Sequence, residues 1–450
     1  MELLNIQNPW WQDRNWSIKG KTRILFSQVL SRLDEDNITI LKGPRQTGKT
    51  FLTKQIISAL LKKGIDPENI LYLSFDDKGL AELVEKRRLG DLLEEKRRRV
   101  KGKFFVFIDE FQKVNITEEI KLLFENVKAY KFFLSGSSSL AISQKIGESL
   151  LGRTRTFHLF PFSLGEIKED TLGLRDIVGD FFKEPGKIFP VLKDFYEKHP
   201  LFFEETKGII DRYILTGGYP KAVLAANTGE GFLELQEILN AYLEKDILWT
   251  LRLGKIEEFR RLMEVFSHNV GGLVVHSNIS KDIGLNIRTV NKYSSILKYT
   301  YIIEFLQPYY SNKITSIKKS YKSFFLDIGL RNFLSQTLTE SLVKREKGRI
   351  FENLVFTQLH KACNYFYSNL KKIYFWRNLS KNEVDFILHS PEKLIPVEVK
   401  AQPVLERGLR TFLEKEGIRE AIEITENKFA ILESGKIKIY CVPLHVLVGI

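Results

Sequence analysis

The residues with the most chemistry in their spacing are Gly43-Pro44-Arg45-Gln46-Thr47-Gly48-Lys49-Thr50, which fit the pattern GxxxxGK[ST]. A loop of this composition surrounds phosphate oxygens with backbone amides at the positive end of a helix. Lys49 would neutralise the outer phosphates, and the Thr50 hydroxyl would ligate magnesium. Eight residues can match by chance, so the flanks must agree. Ile38, Ile40 and Leu41 read as a strand ending at Gly43. Beyond the loop, Leu52, Ile56, Ile57, Leu60 and Leu61 share one helical face, with Gly64 as the stop. The ligand expected here is a nucleotide's phosphates with Mg2+.

A second group of acids follows on Phe104-Phe105-Val106-Phe107-Ile108-Asp109-Glu110. The apolar run suits a buried parallel strand whose carboxyl end delivers both acids to a crevice. Asp109 would hold the metal, and Glu110 would polarise the attacking water as a general base. Lys131 to Ser137 reads as another buried strand ending in hydroxyls. Either Ser135 or Ser137 would sense the terminal phosphate or position the water, or both simply make a hydroxyl-rich turn. Arg153 and Arg155, ahead of a strand expected over Phe157 to Phe160, are candidates for an arginine finger supplied in cis or by a neighbour. A structural role is the alternative for each.

The third constellation lies far downstream. Glu352 opens a helix after Gly348, Asp385 lies in Glu383 to Leu388, and Glu398 and Lys400 lie in Leu394 to Lys400. Strand alternation would turn Val397 and Val399 inward and Glu398 and Lys400 outward onto one shared face. Asp385 and Glu398 would bind magnesium, with Lys400 orienting water for attack on a phosphodiester.

These groups need elements to hold them. The fold class expected is α/β: a P-loop domain with a parallel sheet over 1–170, then a mainly helical lid or linker over 171–255. A winged helix over 256–335 and a small α/β domain over 336–450 would complete the chain. Ile70 to Phe75 reads as a second strand, and the charged stretch from Gly79 to Lys103, including Lys96-Arg97-Arg98-Arg99, reads as helical. Gly217-Gly218-Tyr219-Pro220 marks a sharp break, either a hinge after the nucleotide domain or a structural turn. In the winged-helix stretch, Ile279 to Ile283 is a short helix and Asn286 caps a second one through Lys298. Arg288, Asn291, Lys292 and Lys298 are its polar residues. A basic loop with Lys313, Lys318 and Lys319 joins strands at Ile302 to Leu306 and Ser323 to Leu326. Such a unit reads DNA grooves or serves only as a packing module.

Composition bounds the partners. The chain has 450 residues, 43% of them hydrophobic, with a formal net charge of +13. That length allows roughly three domains of ordinary size. The charge favours nucleic acid, DNA ahead of RNA, although Lys and Glu coating a thermostable surface gives the same balance. Only two Cys and two Met occur. Cys363 and Cys441 are too isolated for a disulfide framework or zinc site. No stretch resembles a membrane span or signal segment, so a cytoplasmic protein without membrane contact is expected.

Taken in order, GPRQTGKT, FIDEFQKV, LSGSSS, LLGRT, PFSLGEI, GGYP, FENLV, EVDFIL and PVEVKA resemble prokaryotic AAA-type ATPases that carry a C-terminal domain of unknown function. The resemblance runs from Asn8-Pro9-Trp10-Trp11 to about Ala401. It implies an additional-strand P-loop ATPase, a helical lid, a winged helix and a PD-(D/E)xK nuclease-like domain. By position it makes Lys49 and Thr50 the phosphate and metal ligands, and Asp109 and Glu110 the metal and base pair. Ser135 to Ser138 match the sensor, Arg153 a finger, and Asp385, Glu398 and Lys400 the nuclease core. Val384 precedes Asp385 where that motif has proline. The preference for adenine rests on the resemblance alone. Three functions follow: a nucleic-acid-directed ATPase, a regulatory nucleotide switch with a non-catalytic C-terminal interaction module, or a transcription regulator using only the winged helix. Further copies of the chain or a regulatory protein are the other partners considered.

Overall fold

The computed structural model describes residues 2–98, 100–137, 150, 152–169, 172–250, 255–310, 321–366 and 372–450. The chain divides into two compact units, Met1–Phe160 with Tyr299–Tyr301, and Pro161–Lys298 with Ile302–Ile450.

The first unit is built on five parallel strands: β1 (Ile38–Lys42), β2 (Ile70–Ser74), β3 (Phe104–Asp109), β4 (Tyr130–Gly136) and β5 (Thr154–His158). Their order is β2-β3-β4-β1-β5, so β4 is inserted between β1 and β3. Every residue of β1, β3 and β4 is buried. This explains why they read as unbroken apolar runs: a parallel sheet covered on both faces has no wet side to alternate with. Crossover helices, among them Lys49–Lys62 and Thr117–Asn126, return the chain to the next parallel strand.

The edge strand β2 is covered by side chains from the first residues. Asn8 takes the Tyr72 N–H (2.7 Å) and donates to the Tyr72 carbonyl (3.0 Å). The indoles of Trp10 and Trp11 both donate to the Ile70 carbonyl, at 3.1 and 3.0 Å. Gln7 accepts from the Ser74 N–H at 2.8 Å. The Asn-Pro-Trp-Trp segment thus satisfies an exposed ladder that would otherwise invite a foreign strand. The charged stretch after Gly79 is two helices, Lys78–Arg87 and Leu89–Arg97, broken at Arg88, whose φ is +66°. The last strand starts earlier than expected, at Thr154 rather than Phe157.

In the second unit, helices run from Leu164–Lys168 to Thr228–Ala241. Three more, Ile256–His268, His276–Ile283 and Ile287–Tyr299, precede an antiparallel ribbon of β6 (Ile303–Leu306) and β7 (Lys322–Phe325). Asn286 caps the third helix by accepting from the Arg288 N–H at 2.8 Å. The long helix Lys347–Tyr365 then leads into a six-stranded mixed sheet. Its strands are β8 (Lys372–Arg377), β9 (Glu383–His389), β10 (Leu394–Val399), β11 (Glu420–Thr425), β12 (Ala430–Ser434) and β13 (Ile437–Pro443). They lie in the order β12-β13-β11-β10-β9-β8. Strands β8, β9 and β10 are antiparallel neighbours, whereas β10 and β11 are parallel and joined through the helix Arg407–Glu416.

The compact first unit closes at Phe160. Residues from Pro161 onward belong to the core of the second unit, where Lys361 donates to the Phe162 carbonyl (2.9 Å) and Gln358 accepts the Leu164 N–H (3.0 Å). Gly165 donates to the Ile450 carbonyl at 3.0 Å, and a Cβ at Gly165 would lie 2.4 Å from that oxygen. The Gly217-Gly218 break is a fixed turn inside this unit and not a hinge after the nucleotide domain. Gly217 has φ +70°, a Cβ there would meet Asp327 at 2.1 Å, and the Gly218 N–H donates to Asp327 at 2.8 Å. Lys313, Lys318 and Lys319 of the expected basic loop lie outside the described residues.

Candidate nucleotide site and the carboxylate cluster

The loop from Gly43 to Thr50 leaves β1 and turns directly into the helix Lys49–Lys62, the order that aims backbone amides at an anion. Two of its positions demand special backbone. Gly48, at the helix start, has φ +92°, and Gln46 has φ +60°. At Gly43 a Cβ would lie 2.1 Å from the Leu159 carbonyl, so only glycine lets the loop pass β5. The Thr47 hydroxyl closes the loop on the Pro44 carbonyl at 2.9 Å. Lys49 is buried, and its ammonium donates to the carbonyls of Gly43 (3.0 Å) and Pro44 (2.7 Å).

Sequence gave no sign of Arg23, a buried arginine that braces the loop from outside. It donates to the Thr47 carbonyl at 2.5 Å and to the Phe160 carbonyl at 2.7 Å. A lone arginine between a turn and a helix carries no pattern that would single it out.

Parallel register brings Asp109, at the end of β3, beside Ser74 of β2 and Ser135 of β4. Asp109 accepts from the Thr50 hydroxyl (2.5 Å), the Ser135 hydroxyl (2.5 Å), the Tyr72 hydroxyl (3.1 Å) and the Glu110 N–H (3.1 Å). The hydroxyl and carboxylate expected to share a metal are therefore already in contact, and this oxygen pair fits the preference of Mg2+. Tyr72 was not anticipated. Burial, and then the Asp109 charge, hold its phenol well above the usual tyrosine range.

Glu110 follows with φ +54°, uncommon for a residue with a side chain and characteristic of strained functional positions. Its carboxylate accepts from Gln112 Nε2 (2.5 Å) and from the Ser137 hydroxyl (3.1 Å). Burial raises its pKa, while the charges of Lys49 and Arg45 pull it down and Asp109 adds to the rise. The two serines thus divide their work: Ser135 holds Asp109, and Ser137 holds Glu110. Ser138 lies outside the described residues.

Arg153 does not join this group. Its carbonyl accepts from the N–H of Ile38, the first residue of β1, whereas the loop begins after the last. At about 3.3 Å per residue, β1 puts well over 10 Å between Arg153 and the loop. The Arg153 side chain pairs with Glu125, and Arg155 pairs with Glu35 at 2.8 Å. The expectation of an arginine finger in cis is corrected for both, because a parallel β5 starts at the end of the sheet opposite the phosphate loop.

The downstream acids do converge. Glu398 of β10 faces Glu423 of β11, and Glu423 faces Cys441 of β13. Asp385 of β9 lies against Glu398 and accepts the Val399 N–H at 2.9 Å. Lys400 Nζ lies 3.6 Å from Glu398 and 3.5 Å from Glu406. The expected outward orientation of Glu398 is corrected: it is 2% exposed, because the helix Lys347–Tyr365 packs over this face of β10. Burial first, and then the neighbouring Asp385, push its carboxyl far up, toward the protonated form. Glu352 reaches the same region and pairs with Lys322 of β7 at 2.9 Å. Among the described residues, no three His, Cys, Asp or Glu side chains are grouped so as to hold a metal ion. Glu423 was also missed, although a single acid inside the apolar run Ala421-Ile422-Glu423-Ile424 is a legible sign of a buried carboxyl.

Sheet order, phosphate loop and acid pair define the first unit as a P-loop NTPase-like domain of the AAA kind. Residues 35–168 match the AAA domain family, while 208–341 and 347–445 match two domains of unknown function, DUF8612 and DUF4143. An uncharacterized protein of Methanocaldococcus jannaschii is 26% identical over 387 residues, 84% of this chain and 78% of that protein. Another, from Haemophilus influenzae, is 23% identical over 380 residues, 83% of this chain and 85% of that one. Among solved structures, AMPPCP-bound DnaA from Aquifex aeolicus is similar over 65% of this chain and 92% of its own, at 16% identity and a TM-score of 0.25. No helix among the described residues is long and apolar enough to cross a membrane.

Proposed function

We propose that this chain is an ATP-dependent molecular switch whose first unit binds and hydrolyses ATP. The observation that carries this reading is the contact of Thr50 with Asp109 beside a restrained Glu110. The loop amides and Lys49 would hold the phosphates; Lys49 would exchange its two carbonyl partners for phosphate oxygens. Thr50 and Asp109 would hold Mg2+, which when bound neutralises charge on the transferring phosphoryl group. Glu110, kept in place by Gln112 and Ser137, accepts the proton of the attacking water. Its burial and its cationic neighbours act in opposite directions on that basicity. Ser135 and Tyr72 orient Asp109. Neither Arg153 nor Arg155 would serve as a finger arginine within its own chain, since both are tied to the far end of their own sheet.

Nucleotide binding and steady-state hydrolysis separate these roles. Lys49→Ala is expected to abolish ATP binding. Glu110→Gln is expected to bind ATP normally and to hydrolyse it about 10²–10⁴-fold more slowly. Hydrolysis by Glu110→Gln at the wild-type rate would refute the base assignment.

The nucleic-acid reading rests on the three helices and ribbon over 256–325, read as a winged helix whose third helix exposes Arg288, Asn291 and Lys292. DNA is the partner this face would suit, through phosphate contacts. Stimulation of hydrolysis by single-stranded, duplex or branched DNA, weakened in Arg288→Ala/Lys292→Ala and by salt, supports it. The nuclease-like reading rests on Asp385, Glu398 and Lys400 lying together; metal-dependent cleavage lost in Asp385→Ala is its test. The pairing of Lys322 with Glu352 in the same cluster favours the second reading, a C-terminal module that regulates or binds without cutting.

A further inference from the structure

Glu110 opens a turn that is fastened some distance from the acid pair. A one-turn helix, Phe111–Lys113, follows it, and the Lys113 N–H closes the turn on the Glu110 carbonyl at 3.0 Å. Phe111 and Val114 are buried in the core of the first unit and seat the turn there. Gln112 donates to the Glu110 carboxylate at 2.5 Å, and the Lys113 ammonium pairs with the carboxylate of Asp76. A left-handed conformation at a residue with a side chain persists only where its surroundings over-determine it. At Glu110 those surroundings include the turn itself, so whatever anchors residues 111–113 also anchors the carboxylate.

Asp76 offers a fixed point for that anchor. It lies two residues beyond Ser74, the β2 residue that stands beside Asp109 in the sheet. Phe75, between them, is buried, and its N–H donates to the Asp109 carbonyl at 3.1 Å. Ser74 donates its own N–H to Gln7 at 2.8 Å. Beyond Asp76, the Asp77 N–H closes on the Ser74 carbonyl at 3.3 Å, and the Asp77 side chain caps the helix Lys78–Arg87 by accepting from the Leu80 N–H at 3.1 Å. The backbone of Asp76 is thus held on both sides. The side chains of Lys113 and Asp76 are 39 and 63% exposed, and an ion pair so open to water contributes little to stability. Its consequence is geometric: it joins the end of β2 to the end of the turn that carries the base.

We propose that Asp76 and Lys113 form a latch that positions Glu110, tying the turn 110–113 to the fixed end of β2 so that the carboxylate is held toward the attacking water. Both are positioning residues: they act through Glu110 and not on the nucleotide. Their role presupposes Glu110 as the base and goes beyond it. With the latch open, Phe111 stays buried, but Glu110 can leave its left-handed conformation and its carboxylate loses alignment. Alignment of this kind is what a positioned catalytic group converts into rate.

The test is single-turnover hydrolysis of ATP by the full chain, with ATP affinity measured alongside. Lys113→Met and Asp76→Asn should each slow hydrolysis about two- to fivefold, the range an ion pair of this exposure can transmit, and leave ATP affinity within about twofold. Lys113→Arg and Asp76→Glu keep the pair and should keep the rate. The double variant Asp76→Asn/Lys113→Met should lose no more than either single variant, because a latch opened from one side is already open. In a Glu110→Gln chain, Lys113→Met should cause no further loss, since its effect passes through Glu110. Additive losses in either combination overturn the proposal, as do wild-type rates in both single variants. Rate changes of opposite sign in Lys113→Met and Asp76→Asn also overturn it, because they would make the two residues independent charges. Wild-type hydrolysis by Glu110→Gln alone is a different failure, that of the base assignment itself.

Discussion

Replacing Glu423 by glutamine should change the pH dependence of stability in the C-terminal sheet by an amount the structure sets. Glu423 is fully buried on β11; its Oε1 accepts the Val404 N–H at 2.9 Å, and its Oε2 has no partner. Burial pushes its carboxyl from 4.5 up to about 7, against smaller downward pulls from Val404, Cys441 and Lys400. Between those two values the folded chain holds a proton that the unfolded chain has released. Stability is therefore intact below about pH 4.5 and falls as pH rises toward 7. At about 1.36 kcal/mol per pH unit, the loss amounts to about 3 kcal/mol by pH 8. Glutamine does not titrate, so Glu423→Gln escapes that loss. Any fixed cost of its amide is the same at both ends of the range and cancels. The assay is hydrogen exchange of peptides covering β11 and β13 in the intact chain, corrected for intrinsic exchange, since it reports local opening free energies in a protein of several cooperative units. The advantage of Glu423→Gln over wild type should grow by about 3 kcal/mol from pH 4 to pH 8. A difference that stays constant across this range would refute the assignment of a buried, proton-bearing Glu423.

Three further outcomes are expected. Arg23→Ala strands the Thr47 and Phe160 carbonyls and should destabilise the first unit by about 2–4 kcal/mol in thermal or denaturant unfolding. It should also weaken ATP binding, and unchanged affinity would deny Arg23 its bracing role. Tyr72→Phe removes one of four donors to Asp109 and should slow hydrolysis at subsaturating Mg2+, with recovery as Mg2+ is raised. A loss that Mg2+ does not rescue would point away from metal positioning. Arg153→Ala should leave hydrolysis by dilute, monomeric protein within about twofold of wild type, because its side chain lies at the far end of the sheet. A large loss under those conditions would contradict the strand register of β5.

The phosphate loop was legible because its chemistry is local. A strand, a glycine-bearing turn and a helix start follow one another in the chain, and the amides point where that order sends them. Asp109 and Glu110 were legible for a related reason: a fully apolar strand ending in acids announces a buried parallel strand and the edge at which its acids emerge. The helical capping at Asn286 and the acids of β9 and β10 were readable on the same terms. Arg153 misled because proximity to a phosphate site depends on which end of a parallel strand it occupies, and spacing along the chain does not say. Glu398 misled in another way. Its strand alternates as expected, but a long helix covers the face where the alternation puts it, so the pattern of an exposed strand belongs to a buried carboxylate.

The amino-acid sequence by itself determined a P-loop, its acid pair, an α/β first unit and a downstream set of acids with a lysine, since each is written in consecutive residues. Tertiary structure alone decided the partners: Tyr72 on Asp109, Ser137 on Glu110, Arg23 behind Thr47, and Lys322 among Glu352 and Glu383. These contacts join elements distant in the chain, and they form because burial leaves a charged or polar group no alternative to a partner. Lys322 makes the point most fully. In the sequence it is a lysine at the start of a short strand; in the fold it is the cation around which the carboxylate cluster closes.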